Sequence, residues 1–228
     1  MFYNSYYFVL VIIPLLIGMW AQHKVNSTYK RYSNVACGNG LTGRQAARQI
    51  LDQNGLRNVQ IEQVRGNLTD HYDPKNNVVR LSEGVYNSHS VAAVGVAAHE
   101  CGHAVQYATG YVPMKIRGAI VPITNFGSKL AVPLVLIGLL LNWYPLAWIG
   151  LIGYGLIALF QLVTLPVEFN ASNRAVAALT NMNMTETEQQ GVKKVLSAAA
   201  MTYVAALISA ITQLLRMISI IGGRDRRR

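Results

Sequence analysis

The sequence predicts an α+β membrane protein: mostly α-helical, with three to four transmembrane helices and a small β-hairpin or sheet in one polar domain. Three observations predict it. Hydrophobic residues make up 52% of the 228 residues and charged residues only 13%, against about a quarter in soluble domains. The apolar residues gather in runs at 2–21, 130–141, 146–165 and 197–221, long enough alone or with their flanks to cross a bilayer. The polar stretch after the first run contains short alternating segments of the kind that form strands. The expected divisions are an anchor at 1–22, a polar domain at 23–117, a helical hairpin at 118–165, a further helix and linker at 166–196, and an apolar helix with a basic tail at 197–228.

Residues 2–21 carry Tyr3, Tyr6, Tyr7 and Trp20 at their ends, where interfacial aromatics sit. The segment holds no Lys or Arg and no small-x-small exit, so it reads as an uncleaved anchor. Residues 22–40 read as a polar linker. In 42–54 the apolar positions Ala46, Ala47, Ile50 and Leu51 have helical spacing, with Thr42 as N-cap and Gly55 as stop. Val59, Ile61 and Val64 suggest a strand. Pro74-Lys75-Asn76-Asn77 reads as a turn between two more. A strand edge can take up an extended peptide as an added strand. Asp70, His71, Tyr72, Val79 and Leu81 are the candidates for that edge.

The next helix, Val91–Tyr107, is small and apolar for eight residues and then reads His99-Glu100-Cys101-Gly102-His103. Ser88 or Ser90 can cap its start. Positions four apart share one helical face, so both imidazoles can reach one metal ion. Glu100 projects beside them, within reach of a metal-activated water. Ionisable groups inside an apolar helix need such a partner. Cys101 reads as a buried filler, and two cysteines, Cys37 and Cys101, imply no disulfide framework.

Gly110 and Pro113 break the pattern, and Lys115 and Arg117 mark a membrane boundary. Leu130–Leu141 and Leu146–Leu165 then form an apolar hairpin turning at 142–145. The first arm extends back through Val121–Ser128, with Lys129 snorkelling to the interface. The chain leaves the second arm at Pro166, and Ala171, Ala175 and Ala178 suggest a separate helix. Thr185–Glu188 starts another. Gln213 and Arg216 interrupt the last apolar run, so 197–221 either spans or lies at the interface.

A catalytic zinc takes three protein ligands and one water. After His103 there is no histidine, and the acidic residues are Glu168, Glu186, Glu188 and Asp225. Glu186 and Glu188 are helix-start acids, and Asp225 lies among arginines. Glu168 stands alone in an apolar setting, where the hairpin returns the chain. It is the expected third ligand. The metzincin pattern fails, because Gln106 and Thr109 occupy its glycine and histidine positions. No aspartate lies between Asp73 and Asp225, which removes the intramembrane zinc proteases.

LTDHYDP, VVRLSEGVYNSHSVAAVGVAAHECGHAVQ, LPVEFNASNRA and AAAMTYVAALISAITQLLR resemble the YugP-like neutral zinc metallopeptidases. These are bacterial membrane proteins with the layout of HtpX-type gluzincins, and the likeness covers most of the chain. It implies a zincin-like polar domain in a multi-pass protein of the bacterial cell membrane. It also implies Zn2+ at His99, His103 and Glu168, with Glu100 catalytic. The HtpX-type pattern E-x-x-A-D has Ser172 in place of its aspartate here. Asn170, Ser172 or a backbone carbonyl is left to orient the ligand histidines.

The expected reaction is hydrolysis of a peptide or protein, membrane proteins included, with Glu100 as proton carrier. The oxyanion donor is open among His71, Tyr72, His89, Arg174 and Tyr203. Two rivals are a zinc-binding scaffold without proteolysis, and a transporter. The net charge of +10 flanks apolar segments and forms no stripe with aromatics, so the basic partner is the lipid bilayer and not nucleic acid. Lys24, Lys30, Arg31, Lys115, Arg117, Lys129, Lys193 and Lys194 stand on the site's side and none in the hairpin turn. The positive-inside rule therefore expects the site in the cytoplasm.

Overall fold

The computed structural model describes residues 2–38 and 40–225, with side chains over 8–38 and 40–223. Tyr3, Tyr6 and Tyr7 and the arginines from Arg224 onward lie outside those side chains. The elements in order are α1 (Phe2–Ser33), α2 (Gly43–Gln53), β1 (Gln60–Val64), β2 (His71–Asp73), β3 (Val78–Ser82), α3 (Glu83–Tyr86), α4 (Val91–Ala108), α5 (Val112–Leu140), α6 (Tyr144–Thr180) and α7 (Glu186–Asp225). They divide into two compact units. One is apolar: Met1–Ala21, Lys115–Leu165 and Thr202–Arg228. The other, Gln22–Met114 with Pro166–Met201, holds the sheet and the H-E-x-x-H helix.

The protein is α+β, and four of its helices are long and apolar enough to cross a membrane. The hairpin arms approach closely through small residues. A Cβ on Gly138 would lie 2.5 Å from Ala147 N, and one on Gly150 2.8 Å from Ala131 O. Small residues let membrane helices come this near. Val135, Tyr144, Ala147 and Leu151 form a cluster with Ile221 of α7, flanked by Leu214 and Met217. The last turns of α7 thus pack beside the hairpin turn. The outer faces of the hairpin are apolar and exposed, as at Phe126, Leu140 and Ile152, which suits contact with lipid.

In the polar unit, Ala46, Ala47, Ile50 and Leu51 of α2 pack on Ala93, Val94, Ala97, Ala98 and Cys101 of α4. Val79 and Leu81 of β3, Leu179 of α6 and Val192 of α7 join the same core. Thr42 caps α2 through a capping box with Gln45, and Ser90 caps α4 by accepting from Ala93 N. Gly102 permits the contact of α4 with α6: an added Cβ would lie 2.7 Å from Ala171 O, a backbone atom that cannot yield cheaply. Gly102→Val is therefore expected to cost about 1–3 kcal/mol, with a lowered Tm and weakened metal binding, checked by thermal denaturation with and without zinc.

Three expectations are corrected here. The linker at 22–40 is helical through Ser33, because Tyr29 and Tyr32, three apart on one face, pack on the polar core. Pro166 does not end the second arm. It sits inside α6, where it removes one backbone donor without breaking the helix, as membrane-associated helices tolerate. The sheet order is β1-β3-β2, with β1 parallel and β2 antiparallel to β3. Val79 and Leu81 are therefore buried in the middle strand and offer no edge. The edge beside the hairpin turn belongs to β2.

Candidate metal centre

Helix α4 supplies His99 and His103, and α6 supplies Glu168, all within the polar unit. Glu168 is 2% exposed. Its Oε2 lies 3.2 Å from His99 Nε2 and 3.5 Å from His103 Nε2. Two ligands about 2.0–2.1 Å from a tetrahedral zinc stand roughly 3.3–3.4 Å apart, so both separations fit that ion. The two imidazoles lie nearly perpendicular, with centroids 4.7 Å apart. All three ligand atoms fall within 4.8 Å of one another.

Each histidine is held from behind. Ser172 Oγ is 3.2 Å from His99 Nδ1. Gln106 Oε1 is 3.0 Å from His103 Nδ1, while Gln106 Nε2 donates to Val167 O at 2.8 Å and to Asn170 Oδ1 at 3.0 Å. With Nδ1 protonated in each ring, both Nε2 lone pairs face the site. Burial opposes a charge on His103, but Glu168 and Glu100 outweigh it and hold its pKa above the ordinary value. The pocket favours a cation. Glu100 is buried, and among the described residues nothing hydrogen-bonds its carboxylate, which leaves it open to take a proton. Burial pushes the Cys101 thiol far up, so it stays protonated and offers no thiolate ligand.

Of the two residues expected to orient the ligand histidines, Ser172 lies within hydrogen-bond distance of His99, and Asn170 connects to His103 through Gln106. Gln106 itself was missed, although it stands three residues after His103 on the same helical face and is fully buried. A polar side chain there needs partners. Gln106→Ala is expected to weaken zinc binding about 10–100-fold with the fold retained, measured by competition with a zinc chelator.

The oxyanion candidates separate. His89 is exposed and precedes the N-cap of α4, about 15 Å of helix axis from His99, so it is removed. Arg174 commits its Nε to Asn170 Oδ1 at 2.8 Å. Tyr203 is half-buried on α7, in the apolar unit. His71 is exposed on β2, its Nδ1 2.8 Å from Thr69 O. Tyr72 donates to Asn77 Oδ1 at 3.2 Å, and its ring tilts against Tyr107 at 6.1 Å, one turn beyond His103. The β2 edge thus borders the metal helix. Asp70 is occupied with β3, accepting from Ser82 N at 2.7 Å and Ser82 Oγ at 2.9 Å.

A family model described as "Putative neutral zinc metallopeptidase" covers residues 7–222. The chain belongs to that family. The chain is also 48% identical to "Putative membrane protease YugP" of Bacillus subtilis (strain 168) over 218 residues, 95% of this chain and 97% of that protein. No solved structure matches it.

Proposed function

We propose that the protein is a membrane-bound zinc metalloendopeptidase. The observation that carries the reading is the convergence of His99, His103 and Glu168 within 4.8 Å, with Glu168 at zinc-ligand spacing from both imidazoles, beside a buried Glu100 that has no hydrogen-bond partner among the described residues. A purely structural zinc normally takes four protein ligands, and a scaffold has no use for that open carboxylate. Zinc bound here supplies a water acidified toward neutrality and a Lewis acid for the scissile carbonyl. Glu100 accepts the water's proton and passes it to the leaving amine. Ser172 and Gln106 keep the imidazoles in register throughout. The β2 edge at His71–Asp73 pairs with the backbone of an extended substrate. Endopeptidase activity should disappear when zinc is chelated in a casein assay and return with added zinc but not magnesium. Activity indifferent to chelation contradicts the proposal.

Reading the four long apolar helices as spans assigns the ends of the sequence and the hairpin turn to one side of the bilayer and the site-bearing segments to the other. Eight lysines and arginines on the site's side then outweigh the tail's Arg224, Arg226, Arg227 and Arg228, and the site faces the cytoplasm of a bacterial cell. A cysteine introduced at the C-terminus should react with an impermeant maleimide on intact cells. Labelling only after lysis contradicts this orientation.

A further inference from the structure

A groove of about 330 Å³ opens in the polar unit between α2, α4 and α6. It lies roughly a third of a turn round α4 from His99 and His103, on the face that carries Ala98 and Val105. Its floor is apolar, with Ile50, Ala98 and Val105, and its polar lining includes Asn54, Asn181 and Arg174. No lining residue is acidic. Arg174 donates from Nε to Asn170 Oδ1 at 2.8 Å. Among the described residues Nη1 and Nη2 have no hydrogen-bond partner and the guanidinium forms no ion pair. Its plane is therefore fixed, and two parallel donors remain, the geometry that clasps a carboxylate.

We propose that this groove is a second binding site, and that it takes the C-terminal carboxylate of a short peptide. The carboxylate pairs with the two Nη donors of Arg174. Asn54 Nδ2 is held by Ile50 O at 2.8 Å, so its Oδ1 and the Asn181 amide face the last peptide groups, and the apolar floor takes a small side chain. The volume is near the lower end for small-ligand pockets, which begin at about 300 Å³, so the site fits a chain end and not a folded surface. The identity of the peptide as a product of cleavage rests on the peptidase reading, but the site itself does not.

The test uses the full chain in detergent with zinc removed, so that a carboxylate cannot be retained by the metal. Acetyl-trialanine with a free C-terminus is titrated by calorimetry against the same peptide as its amide. The acid is expected to bind at least about tenfold more tightly, one charge-assisted pair. Arg174→Gln should abolish the preference, and Arg174→Lys should keep part of it. Ala177→Trp, which fills the groove without touching the Arg174–Asn170 bond, should block both peptides and covers the case in which Arg174→Gln fails to fold. Equal affinities, no binding of either peptide, a preference that needs zinc, or one that survives Arg174→Gln would overturn the proposal. None of those results bears on casein hydrolysis by the zinc-loaded protein, so failure here and failure of the peptidase reading are separable.

Discussion

Replacing Glu100 with Gln is expected to leave one zinc per chain and to lower peptide hydrolysis about 10²–10⁴-fold. Glu100 is not among the three residues whose ligand atoms converge, so the amide should not disturb the metal. It is buried and has no hydrogen-bond partner among the described residues, so no structural bond is lost with the charge. What disappears is a carboxylate next to the ligand set that can take a proton from water. Loss of the negative charge should also relax the field at His103, whose protonation Glu100 favours. Metal analysis and casein cleavage on the same sample separate the two effects. Zinc retained with full activity would show that another group carries the proton.

The second large effect is at Glu168. Its Oε2 faces both Nε2 atoms, and its side chain is inaccessible to solvent that could replace it. Glu168→Gln keeps the volume but removes the charge and the strong oxygen donor. Zinc affinity should fall about 10²–10³-fold, one ligand's share of a total near 10–16 kcal/mol. The fold should persist, because Gln106 still joins α4 to α6 through Val167 O. Isothermal titration of the metal-free variant, alongside its circular dichroism, checks both statements. Deleting 118–165 should have a similar effect on zinc by a different route. It removes the hairpin from which α6 runs on unbroken into Glu168.

Much of this site could be read from local rules. Four-residue spacing puts His99 and His103 on one face of any helix, and scarcity of alternatives leaves Glu168 as their partner. Ser172 was accessible from the family pattern it departs from. Gln106 was not found, because its importance comes from a carbonyl on another helix, Val167 O, 61 positions away. The fold shows the same division. Helix caps at Thr42 and Ser90 and the turn at 74–77 follow from short-range chemistry, and the structure has them. The continuation of α1 past Ala21 depends on where Tyr29 and Tyr32 pack. The survival of α6 through Pro166 depends on its surroundings, and the central position of β3 on its pairing with both β1 and β2. Those are tertiary facts, and hydrophobic periodicity along one strand does not contain them.

The central claim is a zinc held by two imidazoles and one carboxylate, with a place left for water. X-ray absorption at the zinc edge, on the full chain purified in detergent with one equivalent of zinc, tests it most directly. The prediction is a first shell of four nitrogen and oxygen neighbours near 2.0–2.1 Å, with outer-shell scattering from two imidazoles. Glu168→Gln should weaken or empty that shell. A sulfur neighbour near 2.3 Å, which would bring in Cys101 or Cys37, would contradict the account, as would a shell unaffected by Glu168→Gln.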